Sequence, residues 1–175
     1  MTERFSACWE DNDEPYLVST RDLLPKSFNE QIASKVNLTN EQQATAWIKS
    51  TPASFCQTQD KNILAQILND YDQETADFYR WTVEYSQDEI SQLLQEKLGL
   101  NLGKIRALEP VERGESGRII RLKIVGTEKT MTIGKELEIR RALSSTHLYS
   151  SAFVVETSGE TSDKLPATFR LYGAG

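Results

Sequence analysis

The chain has 175 residues, enough for one ordinary domain or two small ones, and its composition suits a globular protein that buries a core without staples. A net charge of −6 and a pI near 5.0 argue against a broad nucleic-acid footprint, which needs a basic face to neutralise phosphates. No run reaches the apolar length of a membrane span, and Met1-Thr2-Glu3-Arg4 is not followed by the apolar core of a signal peptide, so neither membrane contact nor an address is expected of this stretch.

In chain order, residues 1–35 read as an extended arm. It has a polar turn at Asp11-Asn12-Asp13-Glu14-Pro15, a short strand-like run Tyr16-Leu17-Val18-Ser19, and no firm structure over Pro25–Val36. Residues 36–75 read as a small helical insertion. Thr39-Asn40-Glu41-Gln42 offers a capping box with Thr39 as the cap, and Ala44, Trp47 and Ile48 follow at helical spacing until Thr51-Pro52 stops the helix. A second helix from Thr58 or Asp60 is expected to bury Ile63, Leu64, Ile67, Leu68 and Tyr71.

Residues 76–175 read as an α+β core. Phe78–Tyr85 alternates as a strand, and Ser86-x-x-Glu89 caps a helix whose stripe is Ile90, Leu93, Leu94 and Leu98 and whose end is Gly99. Strands follow at Ile105–Pro110, Arg118–Val125 and Thr130–Ile133, then a helix over Lys135–Leu143 with Ile139, Ala142 and Leu143 inward. Phe153–Glu156 and Thr168–Leu171 close the order as strands around a polar loop, Thr157–Lys164. Strand, helix, three strands, helix, two strands predicts a mostly antiparallel sheet with helices packed on one face, plus the helical insertion.

The inventory for chemistry is short. Cys8 and Cys56 are far apart and His147 is the one histidine; without CxxC or HxxxH spacing, no metal site and no cofactor is expected from this chain. The thiols suit buried positions, a mutual disulfide, or pairing with cysteines outside this stretch. His147 lacks a glycine-framed serine, which argues against a hydrolase triad, and there is no Walker or dinucleotide fingerprint. Glu112, Glu138 and Glu156 are poor candidates for a general acid: Glu112 and Glu138 have cations close in sequence, which favour the ionised form, and nothing around Glu156 marks it out, so none is nominated. The group Glu136–Arg141 reads as a solvated helix face with Glu136 supporting Arg140, and Ser116-Gly117-Arg118 reads as a hairpin turn, although its N–H groups and guanidinium suit an anion. Trp47 and Trp81 are expected in the core, whereas Trp9, in a polar arm, is the better contact candidate.

Three segments, in order, resemble the SpoIID/LytB family (stage II sporulation protein D, amidase enhancer). They are Thr2-Glu3 through Trp9-Glu10 to Pro15-Tyr16-Leu17; Ser116-Gly117-Arg118-Ile119 with Leu122–Gly126 and the helix Glu138-Ile139-Arg140-Arg141-Ala142-Leu143; and Ser145–Val155 with Phe169–Gly175. Met1 departs from the Gly-Gly that precedes Thr-Glu in that family, and the chain stops where the family's Trp-Gly-His-Gly motif is due. The resemblance implies a domain cut before its end, with the catalytic glutamate outside this chain. It implies a parent in the cell envelope that binds peptidoglycan glycan strands and cleaves them as a lytic transglycosylase, or that enhances a cell-wall amidase. In the lytic reaction the sugar's own 6-hydroxyl takes the place of water, so a second carboxylate is not obligatory. The positions nearest the missing motif, Arg170, Tyr172, Gly173 and Gly175, together with Trp9, are the substrate-binding candidates the resemblance implies. The fragment is expected to be inactive alone. The rival expectation is a non-catalytic module that docks on a partner hydrolase, and the terminal strand, taken as unpaired, suggests dimerisation through a sheet edge.

Overall fold

A computed structural model describes residues 3–9, 12–19, 36–52, 57–58, 60–67, 78–146 and 148–175. The expectations for residues 20–35, Cys56, Leu68, Tyr71 and His147 lie outside these residues, as does the side chain of Ile67. The fold is α+β. In chain order it comprises α1 (Phe5–Cys8), α2 (Glu41–Lys49), α3 (Lys61–Ile67), β1 (Arg80–Ser86), α4 (Gln87–Leu98), β2 (Ile105–Arg113), β3 (Ile119–Gly126), β4 (Thr130–Ile133), α5 (Glu136–Ala142), β5 (Phe153–Glu160) and β6 (Pro166–Ala174).

The strands divide between two antiparallel three-stranded sheets, ordered β1-β6-β5 (the terminal sheet) and β2-β3-β4 (the hairpin sheet). In the hairpin sheet consecutive strands pair, and the turn after Gly126 joins β3 to β4. Pro110 has no N–H to give a ladder and sits on edge strand β2, where the register shifts between Pro110 and Glu112. In the terminal sheet β6 is central, with Arg80 opposite Ala174 on one side and Phe153 opposite Gly173 on the other. This corrects the expectation of an unpaired terminal strand: both edges of β6 are taken, so dimerisation through that edge has no basis here.

Local signals account for the best-placed helix. Ser86 and Glu89 form the reciprocal capping box of α4, and Gly99 closes it in the left-handed conformation. Ile90 and Leu94 are fully buried, and with Ile139, Ala142 and Leu143 of α5 they fill the space between the sheets. There they meet Phe153, Phe169 and Leu171 from the terminal sheet and Ile105, Ile119, Leu122 and Ile124 from the hairpin sheet. Each such side chain contributes roughly 1.5–3 kcal/mol on leaving water. Trp81 joins this core as expected, edge-on to Tyr149 and tilted against Phe153.

Four local expectations are corrected. The cap of α2 is Asn40, whose side chain accepts from the Gln43 N–H, because Thr39 is engaged with Asn37 instead. Trp47 is only partly buried, leaving Ala44 and Ile48 to face the protein. Ile63 is 47% exposed, so the inward face of α3 does not include it. Tyr16–Ser19 is no strand, since Pro15 and Tyr16 form a turn closed by the Leu17 N–H on Glu14.

Candidate functional site

The strands place the predicted residues on two faces. Successive side chains of β6 alternate, so Phe169, Leu171 and Gly173 face the core while Arg170 and Tyr172 face outward. Gly173 is there for space: a Cβ on it would lie 1.9 Å from Trp81 Cε2, so the indole covers this position only because no side chain occupies it. Gly175 donates to the Tyr79 carbonyl at 3.3 Å.

On the outer face, a row of charge crosses the terminal sheet. Arg170 Nε donates to Glu84 at 2.6 Å and its Nη1 to the Tyr172 hydroxyl at 3.2 Å, and these partners hold the guanidinium above its ordinary pKa, the tyrosine first. Glu156, opposite Arg170 on β5, pairs with Lys49 at the end of α2, and that hydrogen bond holds its carboxyl below the usual range. Tyr172 packs beside Ile48, Val154 and Ala174, a small cluster that seats α2 on this face. The row is therefore a solvated surface with one tyrosine half sunk into it.

Trp9 belongs to a different region. It ends α1, is 62% exposed, and its carbonyl accepts from Lys135 Nζ at 3.2 Å. Around α1 lies a polar cluster that sequence reasoning missed. Glu136, expected on a solvated face, is 6% exposed and sits between Arg140 at 3.5 Å and Arg118 at 3.9 Å. Arg140 also donates to the Leu148 carbonyl at 2.5 Å. Cys8 is a free, partly buried thiol pushed up to about 11, by burial first and then by Glu136 and Glu3 against the opposing pull of Arg118 and Arg140. It is thus a poor nucleophile at neutral pH. The Ser116-Gly117 turn forms as expected, with the Gly117 N–H on the Gly114 carbonyl, and it does hold an anion, the chain's own Glu3.

A second missed residue is Arg113. Its guanidinium is buried and makes a forked pair with Glu41 of α2 at 2.5 and 2.7 Å, while reaching the Gly117 carbonyl at 2.7 Å and the Phe153 carbonyl at 2.9 Å. One side chain thereby joins the hairpin sheet, the terminal sheet and the helical insertion. The pairing of Glu41 with Arg113 spans residues too distant for any spacing rule to find.

Two clefts flank α4, one of about 500 Å³ beside Gln92, Gln95 and Asn101 and one of about 320 Å³ beside Asp88, Lys104 and Asp163. Neither gathers a catalytic set, and among the described residues no three His, Cys, Asp or Glu side chains converge to hold a metal. No curated protein and no solved structure matches the chain. Residues 3–175 match the family described as a domain of unknown function (DUF8618), and the chain belongs to that family.

Proposed function

We propose that the chain is part of a cell-envelope domain of the SpoIID/LytB kind, which binds peptidoglycan glycan strands and serves their remodelling without cleaving them on its own. The observation that carries this reading is the meeting in space of the three segments that bear the resemblance. Glu3 of the first rests on Ser116 of the second, the Ile119 N–H of the second donates to Ser151 of the third, and Ser150 is tied to the Ala174 carbonyl. The exposed Arg170 with the adjoining Tyr172 ring, and the exposed indole of Trp9, supply the cation and aromatic faces that sugar rings and their acidic substituents favour.

The test is co-sedimentation with purified peptidoglycan sacculi. Saturable binding is expected, weakened several-fold by Arg170→Ala and by Trp9→Ala with unchanged melting temperatures, and no anhydro-muropeptide is released. Absence of sedimentation at any concentration would sink the glycan reading. A second reading, a module that docks on a cell-wall amidase or another hydrolase, is favoured by the exposed Ile63 of α3 and Tyr16 of the arm. It predicts saturable binding to that enzyme and none to sacculi.

A further inference from the structure

We propose that the β2–β3 turn is a carboxylate-binding site that the chain's own Glu3 occupies, so that a ligand presenting a free carboxylate binds there by displacing Glu3 and releasing the N-terminal arm. This inference shares the Glu3–Ser116 contact with the glycan reading but stands whether or not the chain binds glycan.

The seat is built from three features. Ser116 is 8% exposed and aims both of its donors at one oxygen, its N–H at 3.0 Å and its hydroxyl at 2.6 Å from Glu3 Oε2. Gly114 leaves the floor open: a Cβ there would fall 2.1 Å from Oε2 and 2.4 Å from the carboxyl carbon, so the carboxylate fills the volume that a side chain would take. The third feature is charge. Four charged groups lie close enough to Cys8 to act on its thiol, namely Glu136, Arg118, Glu3 and Arg140. Glu136 lies 3.9 Å from Arg118 and 3.5 Å from Arg140, so one carboxylate there faces two guanidinium groups. Withdrawing Glu3 removes one negative charge from this neighbourhood and frees both donors of Ser116, and an incoming carboxylate restores both.

The occupant is built to leave. The residues of four-residue α1 are only partly buried, and the other ties of this arm to the body of the fold include the exposed pair Arg4–Glu115 at 3.0 Å and the Lys135 hydrogen bond to the Trp9 carbonyl. A carboxylate is the expected ligand group because the seat already accepts one, with geometry set by a serine N–H and hydroxyl rather than by a metal.

The test uses the full chain with Cys56→Ser, acetate as the probe, and sodium chloride to hold ionic strength constant. In Glu3→Ala the seat is empty, and acetate is expected to move the Ser116 amide resonance along a saturating curve, while acetamide does not. In Gly114→Ala a methyl group blocks the seat, so the saturating response disappears although the arm is equally released. Iodoacetamide should modify Cys8 several-fold faster in Gly114→Ala than in the parent, which reports arm release separately from binding in a variant that keeps the Glu3 carboxylate. A linear, non-saturating response in Glu3→Ala, or the same curve in Gly114→Ala, overturns the site and leaves Glu3 as a structural clip. An unchanged Cys8 rate in Gly114→Ala overturns the release of the arm.

Discussion

The two faces of the terminal sheet are made from the same three strands and hold different kinds of interaction. The inner face sets Trp81, Phe153, Phe169 and Leu171 against α4 and α5 with no room to spare, to the point that Gly173 cannot carry a methyl group. The outer face carries Glu84, Arg170 and Glu156 in water, closed over at one end by α2. Packing specifies the first face, and charge pairs that solvent can replace decorate the second. Shape is therefore fixed on the inside, which leaves the outside free to be spent on recognition. Arg113 ties the two together, because its Nη2 donates both to the Phe153 carbonyl and to Glu41 of α2.

Removing that tie should have the largest effect. Arg113→Ala leaves the Gly117 and Phe153 carbonyls without their donor and unhooks α2, and a loss of about 3–5 kcal/mol in urea unfolding is expected. A loss within the error of the extrapolation would show that the faces are held together by other means. Next comes the inner face itself. Gly173→Ala forces Trp81 off the sheet at a cost of about 1–3 kcal/mol and should shift the tryptophan emission, whereas an unchanged spectrum would mean that the indole is not seated there. The smallest effect belongs to the outer face and depends on pH. The Glu156 carboxyl is depressed chiefly by its hydrogen bond to Lys49, so its contribution is complete above the ordinary carboxylate value and is lost as pH falls through the lower folded value. The small difference in melting temperature between the parent and Lys49→Met should accordingly be present at neutral pH and fade as the pH falls below the ordinary carboxylate range. A difference that persists in acid would point to packing of the lysine stem instead.

Much of the inner face could be read from the sequence because its determinants are local. Alternation placed the strands, the Ser86–Glu89 box began α4 to the residue, and Ile139, Ala142 and Leu143 were inward by helical spacing. Local competition between similar groups was harder: Thr39 and Asn40 are both good caps, and only the prior engagement of Thr39 with Asn37 decides for Asn40. The candidate site was least legible. Glu136 looks like any helix-surface carboxylate until α1 is laid over it, and Ser116 looks like an ordinary turn residue until Glu3 arrives from the far end of the sequence. In each case the partner that changes the meaning of a residue is supplied by the fold, and no periodicity records it.

The central position of β6 also sets an order of assembly. The hairpin sheet pairs neighbours over residues 105–133 and closes short loops, whereas every ladder of the terminal sheet runs through residues 166–174, with β1 waiting from residue 80. Long loops cost more to close and slow the search for partners. During synthesis the hairpin sheet can form while β1 and β5 remain unpaired strands, and residues 166–174, which follow both, convert them at one stroke into a sheet.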